Sequence, residues 1–62
     1  MDYLTREEAI KSMLDGKRVQ FHWKGKVIEV TFRTTLEDLR WALMARTKLL
    51  VSHVMNGNYS II

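Results

Sequence analysis

The side chains of this 62-residue chain that could do covalent or metal chemistry are two histidines, three serines and a Lys24-Gly25-Lys26 turn. His22 and His53 would have to act as a metal pair or as acid and base. A zinc site needs three or four ligands, and neither histidine has a cysteine or carboxylate at ligand spacing. Ser12, Ser52 and Ser60 lack a nucleophile-elbow context, and the two lysines lack the spacing of a phosphate-cradling loop. The sequence therefore predicts no catalytic residue, no metal and no cofactor, and a non-enzymatic role.

Binding chemistry is better represented. Trp41 lies off the apolar stripe of its helical segment, on the flank shared with Met44, Lys48 and Met55 and next to Arg40. An aromatic with methionines and an arginine beside it has the composition of a protein-binding hot spot. The competing role for Trp41 is to cover the edge of a small core. Trp23 and Lys24, near a hairpin tip, are a second candidate contact. Arg18, His22, Lys24, Lys26 and Arg33 spread positive charge along the same hairpin, and with Trp23 they carry the alternative reading, phosphate contact and base stacking on nucleic acid. Glu29 lies among these cations, and exposed basic residues on a strand also serve solubility and edge protection.

The elements that must position these residues are legible from pattern. Val19-Gln20-Phe21-His22-Trp23 and Lys26-Val27-Ile28-Glu29-Val30 alternate around Lys24-Gly25. A two-residue turn sets Val19 opposite Val30, Phe21 opposite Ile28 and Trp23 opposite Lys26, which gives one mostly apolar face and one polar, mildly basic face. Ahead of the hairpin, Thr5 and Glu8 form a capping box, Ala9, Ile10, Met13 and Leu14 form a stripe, and Gly16 closes the helix. Behind it, Thr34 with Glu37, or Thr35 with Asp38, opens a second helix. Its stripe of Leu36, Leu39, Leu43, Thr47, Leu50 and Val54 predicts one long helix closed by Gly57 as a left-handed cap. The alternative ends that helix near Lys48 and makes 49–62 a second hairpin turning at Asn56-Gly57. Tyr59-Ser60-Ile61-Ile62 finishes as a short strand in either case.

The predicted fold is a small α+β single domain spanning 1–62: a helix, a β-hairpin, a longer helix and a short C-terminal strand, with the helices on one side of the sheet. A chain of this length buries only about 60% of its unfolded surface, so it has little to spare for an elaborate pocket. It contains no Cys, so packing alone must hold it, with self-association into a homodimer as one way to bury more. No run approaches the roughly 18 apolar residues of a membrane span, and the opening residues carry no signal-peptide core, so a soluble cytoplasmic protein is expected. The net charge of +3 favours neither an acidic protein nor a nucleic acid.

Residues 4–19, Leu4-Thr5-Arg6-Glu7-Glu8-Ala9-Ile10-Lys11-Ser12-Met13-Leu14-Asp15-Gly16-Lys17-Arg18-Val19, resemble the opening of small accessory proteins encoded by bacteriophages and prophages. In that group a capped helix of this type ends at Gly-Lys and feeds a strand. The resemblance implies a compact protein made in the host cytoplasm that binds a host or phage macromolecule, often to inhibit or redirect it. It transfers no functional residues.

Overall fold

The structure, a computed structural model, describes residues 3–62. Met1 and Asp2, which the single-domain reading of 1–62 includes, lie outside the described residues. The elements follow in the order α1 (Arg6–Leu14), β1 (Val19–Trp23), β2 (Lys26–Val30), α2 (Leu36–Ala42), α3 (Val51–Met55) and β3 (Asn58–Ile61). The molecule is a small α+β domain with three helices and a three-stranded antiparallel sheet of order β2-β1-β3.

The hairpin has the register that its alternation demands, with Val19 opposite Val30, Phe21 opposite Ile28 and Trp23 opposite Lys26. Lys24 (φ 44°) and Gly25 (φ 80°) both take positive φ. Two such residues form the turn whose twist matches that of the flanking strands. β3 lies on the other side of β1, with Phe21 opposite Tyr59. Leu4 pairs in turn with Tyr59, through bonds of 2.6 and 3.1 Å, and so covers part of the outer edge of β3. Val19, Phe21, Val30 and Tyr59 are buried together with Ala9, Leu39, Leu43, Ala45, Leu49 and Val54. The apolar face of the sheet is thus the floor on which the helices sit.

Two capping boxes start two of the helices. The Glu8 amide donates to Thr5 Oγ1 at 3.2 Å while the Thr5 amide donates to Glu8 Oε1 at 3.0 Å. For α2 the pair is Thr35 and Asp38, at 3.1 and 3.0 Å. Thr34 instead accepts from the Thr31 amide at 3.0 Å and shapes the link from β2. In α1 the predicted stripe narrows: Ala9 is buried, Ile10 and Met13 are half-buried, and Leu14 is exposed. Leu14 stands five residues from Ala9, about 140° round the helix, so it cannot share that face.

The single longer helix is not formed, and neither is the strand at 49–55. α2 stops at a Schellman closure, with Met44 N–H donating to Trp41 O at 3.2 Å and Ala45 N–H to Arg40 O at 2.9 Å. The left-handed residue of that closure is Met44, φ 55°, at the position that usually holds glycine. A helix over 36–56 would run about 30 Å. It would overhang strands of five residues, about 17 Å long, and leave its far end uncovered. Breaking the helix turns Ala45 and Leu49 inward and leaves Thr47 and Leu50, two members of the predicted stripe, exposed. α3 then restarts at Leu50, whose amide donates to His53 Nδ1 at 3.0 Å.

Gly57 is not the left-handed cap, since its φ lies outside the positive region. It is required for another reason: a Cβ there would run into the Phe21 ring and come within 2.7 Å of the His53 carbonyl oxygen.

Candidate functional site

The flank of α2 that carries Trp41 faces outward. Trp41 is 60% exposed and Met44 is 85% exposed, the most exposed large apolar residue among those described. The guanidinium of Arg46 lies over the Trp41 indole, 4.0 Å from the ring centroid. At an exposed site such a stack contributes about 0.5–1 kcal/mol and favours one orientation of the indole before any partner arrives. Arg46 was not legible in the sequence, because in an unbroken helix it would lie about 140° from Trp41. The left-handed turn at Met44 is what brings it round.

Arg40 has a different place from its neighbour. Its side chain is 26% exposed; Nε donates to Leu49 O at 2.8 Å and Nη1 lies 3.5 Å from Glu37 Oε2. It straps the 43–50 connection to α2 and so holds the corner that displays Trp41. Leu43 O, at the same corner, accepts from Lys26 Nζ at 2.9 Å, which ties the hairpin to the end of α2.

The hairpin tip is likewise engaged. Trp23 is half-buried, with its indole against the His53 ring at a centroid distance of 4.8 Å and Lys24 Nζ 5.2 Å from its own centroid. His22 and His53 line one cleft under this tip. His53 Nδ1 is occupied by the Leu50 amide, and among the described residues no group of three or more His, Cys, Asp or Glu could hold a metal.

On the polar face, Arg18 and Glu29 form a bidentate pair at 2.8 and 3.1 Å. Arg18 holds the Glu29 carboxyl below the usual carboxylate range, chiefly through the hydrogen bonds and then through its charge. His22 Nε2 lies 2.7 Å from Ser60 Oγ, which also accepts from Gln20 Nε2 at 2.9 Å. This cross-strand link brings a serine and a histidine together without any carboxylate bonded to the imidazole among the described residues. The Tyr3 ring packs edge-on against it at 4.8 Å. Of the five residues in the nucleic-acid reading, Arg18 is paired with Glu29, His22 is bonded to Ser60, and Lys24, Lys26 and Arg33 keep their charge at exposed positions, Lys26 with one bond to the Leu43 carbonyl.

Compared with known proteins, the chain matches no family model, no curated protein and no solved structure. No helix among the described residues is long and apolar enough to cross a membrane.

The Arg18 pair has a pH signature. Glu29 binds its proton less readily folded than unfolded, so its contribution is present above the ordinary carboxylate pKa and is lost as pH falls through the lowered one. Thermal melts from about pH 6 down to about pH 2 are expected to show Glu29→Gln less stable than wild type at the upper end and indistinguishable from it at the lower end. Parallel curves at every pH would show that the pair contributes nothing.

Proposed function

We propose that this chain is a small non-enzymatic binding domain that engages a protein partner through the corner formed by Trp41, Met44 and Arg46. The observation that carries this reading is Met44. A left-handed backbone costs an L-residue about 1–2 kcal/mol, glycine is the residue that avoids it, and yet the position holds a methionine that packs against almost nothing. Strain retained at an exposed side chain is accounted for when that side chain has a use outside the fold. Beside a tryptophan stacked by Arg46, a flexible and polarisable thioether is suited to the centre of an interface.

Charge supports a protein over a nucleic acid to the extent that the Arg18–Glu29 pair interrupts the basic face of the hairpin, which leaves Lys24, Lys26 and Arg33 as its exposed cations. The resemblance of residues 4–19 to phage-encoded accessory proteins supports a host or phage protein as the partner, held in order to inhibit or redirect it.

Met44→Gly tests the reading directly. The variant is expected to be more stable by about 0.5–1 kcal/mol, because relief of the left-handed strain outweighs the extra freedom of the unfolded chain. It is also expected to lose roughly tenfold or more in affinity for a partner captured by the wild-type protein from host lysate. Raised stability with unchanged affinity would sink the assignment.

A further inference from the structure

A second surface, sharing no residue with the Trp41 corner, lies on the helical side of the molecule. A cavity of about 240 Å³ opens there between α1, α3 and the link that follows β2. Ile10 and Met13 form one wall, while Phe32, Val51 and Met55 form the rim and are 63%, 62% and 55% exposed. Three large apolar side chains exposed round one opening are available to an incoming side chain. The volume falls below the roughly 300–1,000 Å³ of small-molecule pockets, which fits one or two anchoring side chains better than a whole ligand.

Polarity at the groove has one sign. Arg6 is the one charged residue among those lining it, and no Asp or Glu lines it. Arg6 Nη1 donates to the Tyr59 hydroxyl at 3.2 Å, and that hydroxyl donates its own proton to Val54 O at 2.8 Å. The guanidinium is therefore anchored at a fixed place, and none of its hydrogen bonds among the described residues goes to a carboxylate. A second copy meeting it groove to groove would present the same apolar rim and another Arg6, with no acid among the lining residues to answer it. Arg6, Ile10 and Met13 line the groove at spacings of four and three, about 10 Å along α1, so the cation stands at one end of a track two helical turns long.

We infer that this groove docks an amphipathic helix of a partner protein, which inserts apolar anchors one turn apart and places an Asp or Glu against Arg6. The recognition mode is helix-in-groove, with the ion pair fixing the direction in which the helix lies. The inference stands apart from the Trp41 reading.

The test is selection of peptides from a random helical library on the purified full chain, followed by fluorescence polarisation with the enriched peptides. Enriched sequences are expected to carry apolar residues at i and i+4 or i+7 and an acidic residue near one end. Met55→Lys, at an exposed rim position, is expected to weaken binding roughly tenfold or more, and Trp41→Ala is expected to leave it unchanged. Arg6→Glu is expected to weaken the acidic peptide and to be rescued when the peptide acid is replaced by Lys. Circular dichroism melts confirm that each variant is folded. Failure to enrich any peptide, enrichment without the acid, or binding that survives both Met55→Lys and Arg6→Glu overturns the inference. So does a homodimer in light scattering that Met55→Lys dissolves, because the groove would then be covered by a second copy. Peptides lost with Trp41→Ala alone would overturn the groove while leaving the Trp41 corner standing.

Discussion

Gly57→Ala is expected to cost about 3 kcal/mol of unfolding free energy, at the upper end of what overpacking a rigid site does. The added methyl would meet two groups that cannot yield cheaply. One is the ring of Phe21, fully buried in the central strand, and the other is the His53 carbonyl oxygen at 2.7 Å, fixed in the backbone of α3. A domain of this size has roughly 3–9 kcal/mol in all, so the variant should lose between a third and all of its stability and show a greatly lowered urea midpoint. Collision with the ring has its own signature. In a Phe21→Leu background, where the ring atoms nearest the new methyl are gone, the penalty of Gly57→Ala should shrink by more than about 1 kcal/mol. A Gly57→Ala protein within about 0.5 kcal/mol of wild type would mean that α3 and β3 meet β1 differently.

Trp41→Ala is expected to cost about 2 kcal/mol or more of partner binding, roughly a thirtyfold loss, with stability lowered by less than about 1 kcal/mol. The asymmetry follows from burial. A core tryptophan cut to alanine removes 3–5 kcal/mol or about that from the fold. Trp41 is 60% exposed and touches the fold at its edge, so most of what it could bury is still available to a partner. Titration of the captured partner against both proteins, beside urea unfolding of each, measures the two quantities separately. Unchanged binding with a stability loss of several kcal/mol would make Trp41 a lid on the core and refute the interface.

The hairpin and the starts of α1 and α2 were legible in the sequence because local rules set them. Period-two alternation around Lys24-Gly25 leaves one register in which Val19, Phe21 and Val30 share a face. Thr5 with Glu8 and Thr35 with Asp38 are reciprocal hydrogen-bond pairs within four residues. The long helix misled for an equally physical reason. Its stripe through Thr47 and Leu50 is good helical periodicity, but periodicity contains no information about how much sheet there is to cover. Gly57 follows a helical stripe and so suggests a left-handed cap, whereas what requires it is the space beside a ring thirty-six residues earlier in the chain.

The same division holds for the candidate sites. Trp41 and Met44 stand out in the sequence, since an aromatic and a methionine off the apolar stripe must either cover an edge or face a partner. Arg40 and Arg46 could exchange roles only in three dimensions, where the turn at Met44 sends the first onto Leu49 O and the second over the indole. The groove at Arg6 is assembled from α1, α3, β3 and the link after β2, segments as far apart as Arg6 and Tyr59. By itself the sequence determined the class of the fold, the hairpin register, the Thr5–Glu8 capping box, the start of the second helix to within one residue and the candidacy of Trp41, because each depends on contacts within a few residues or on a strict period. Only the tertiary structure decided where the second helix breaks, which arginine serves the tryptophan and what Gly57 is for, because each depends on the area of a three-stranded sheet and on which distant side chains compete to cover it.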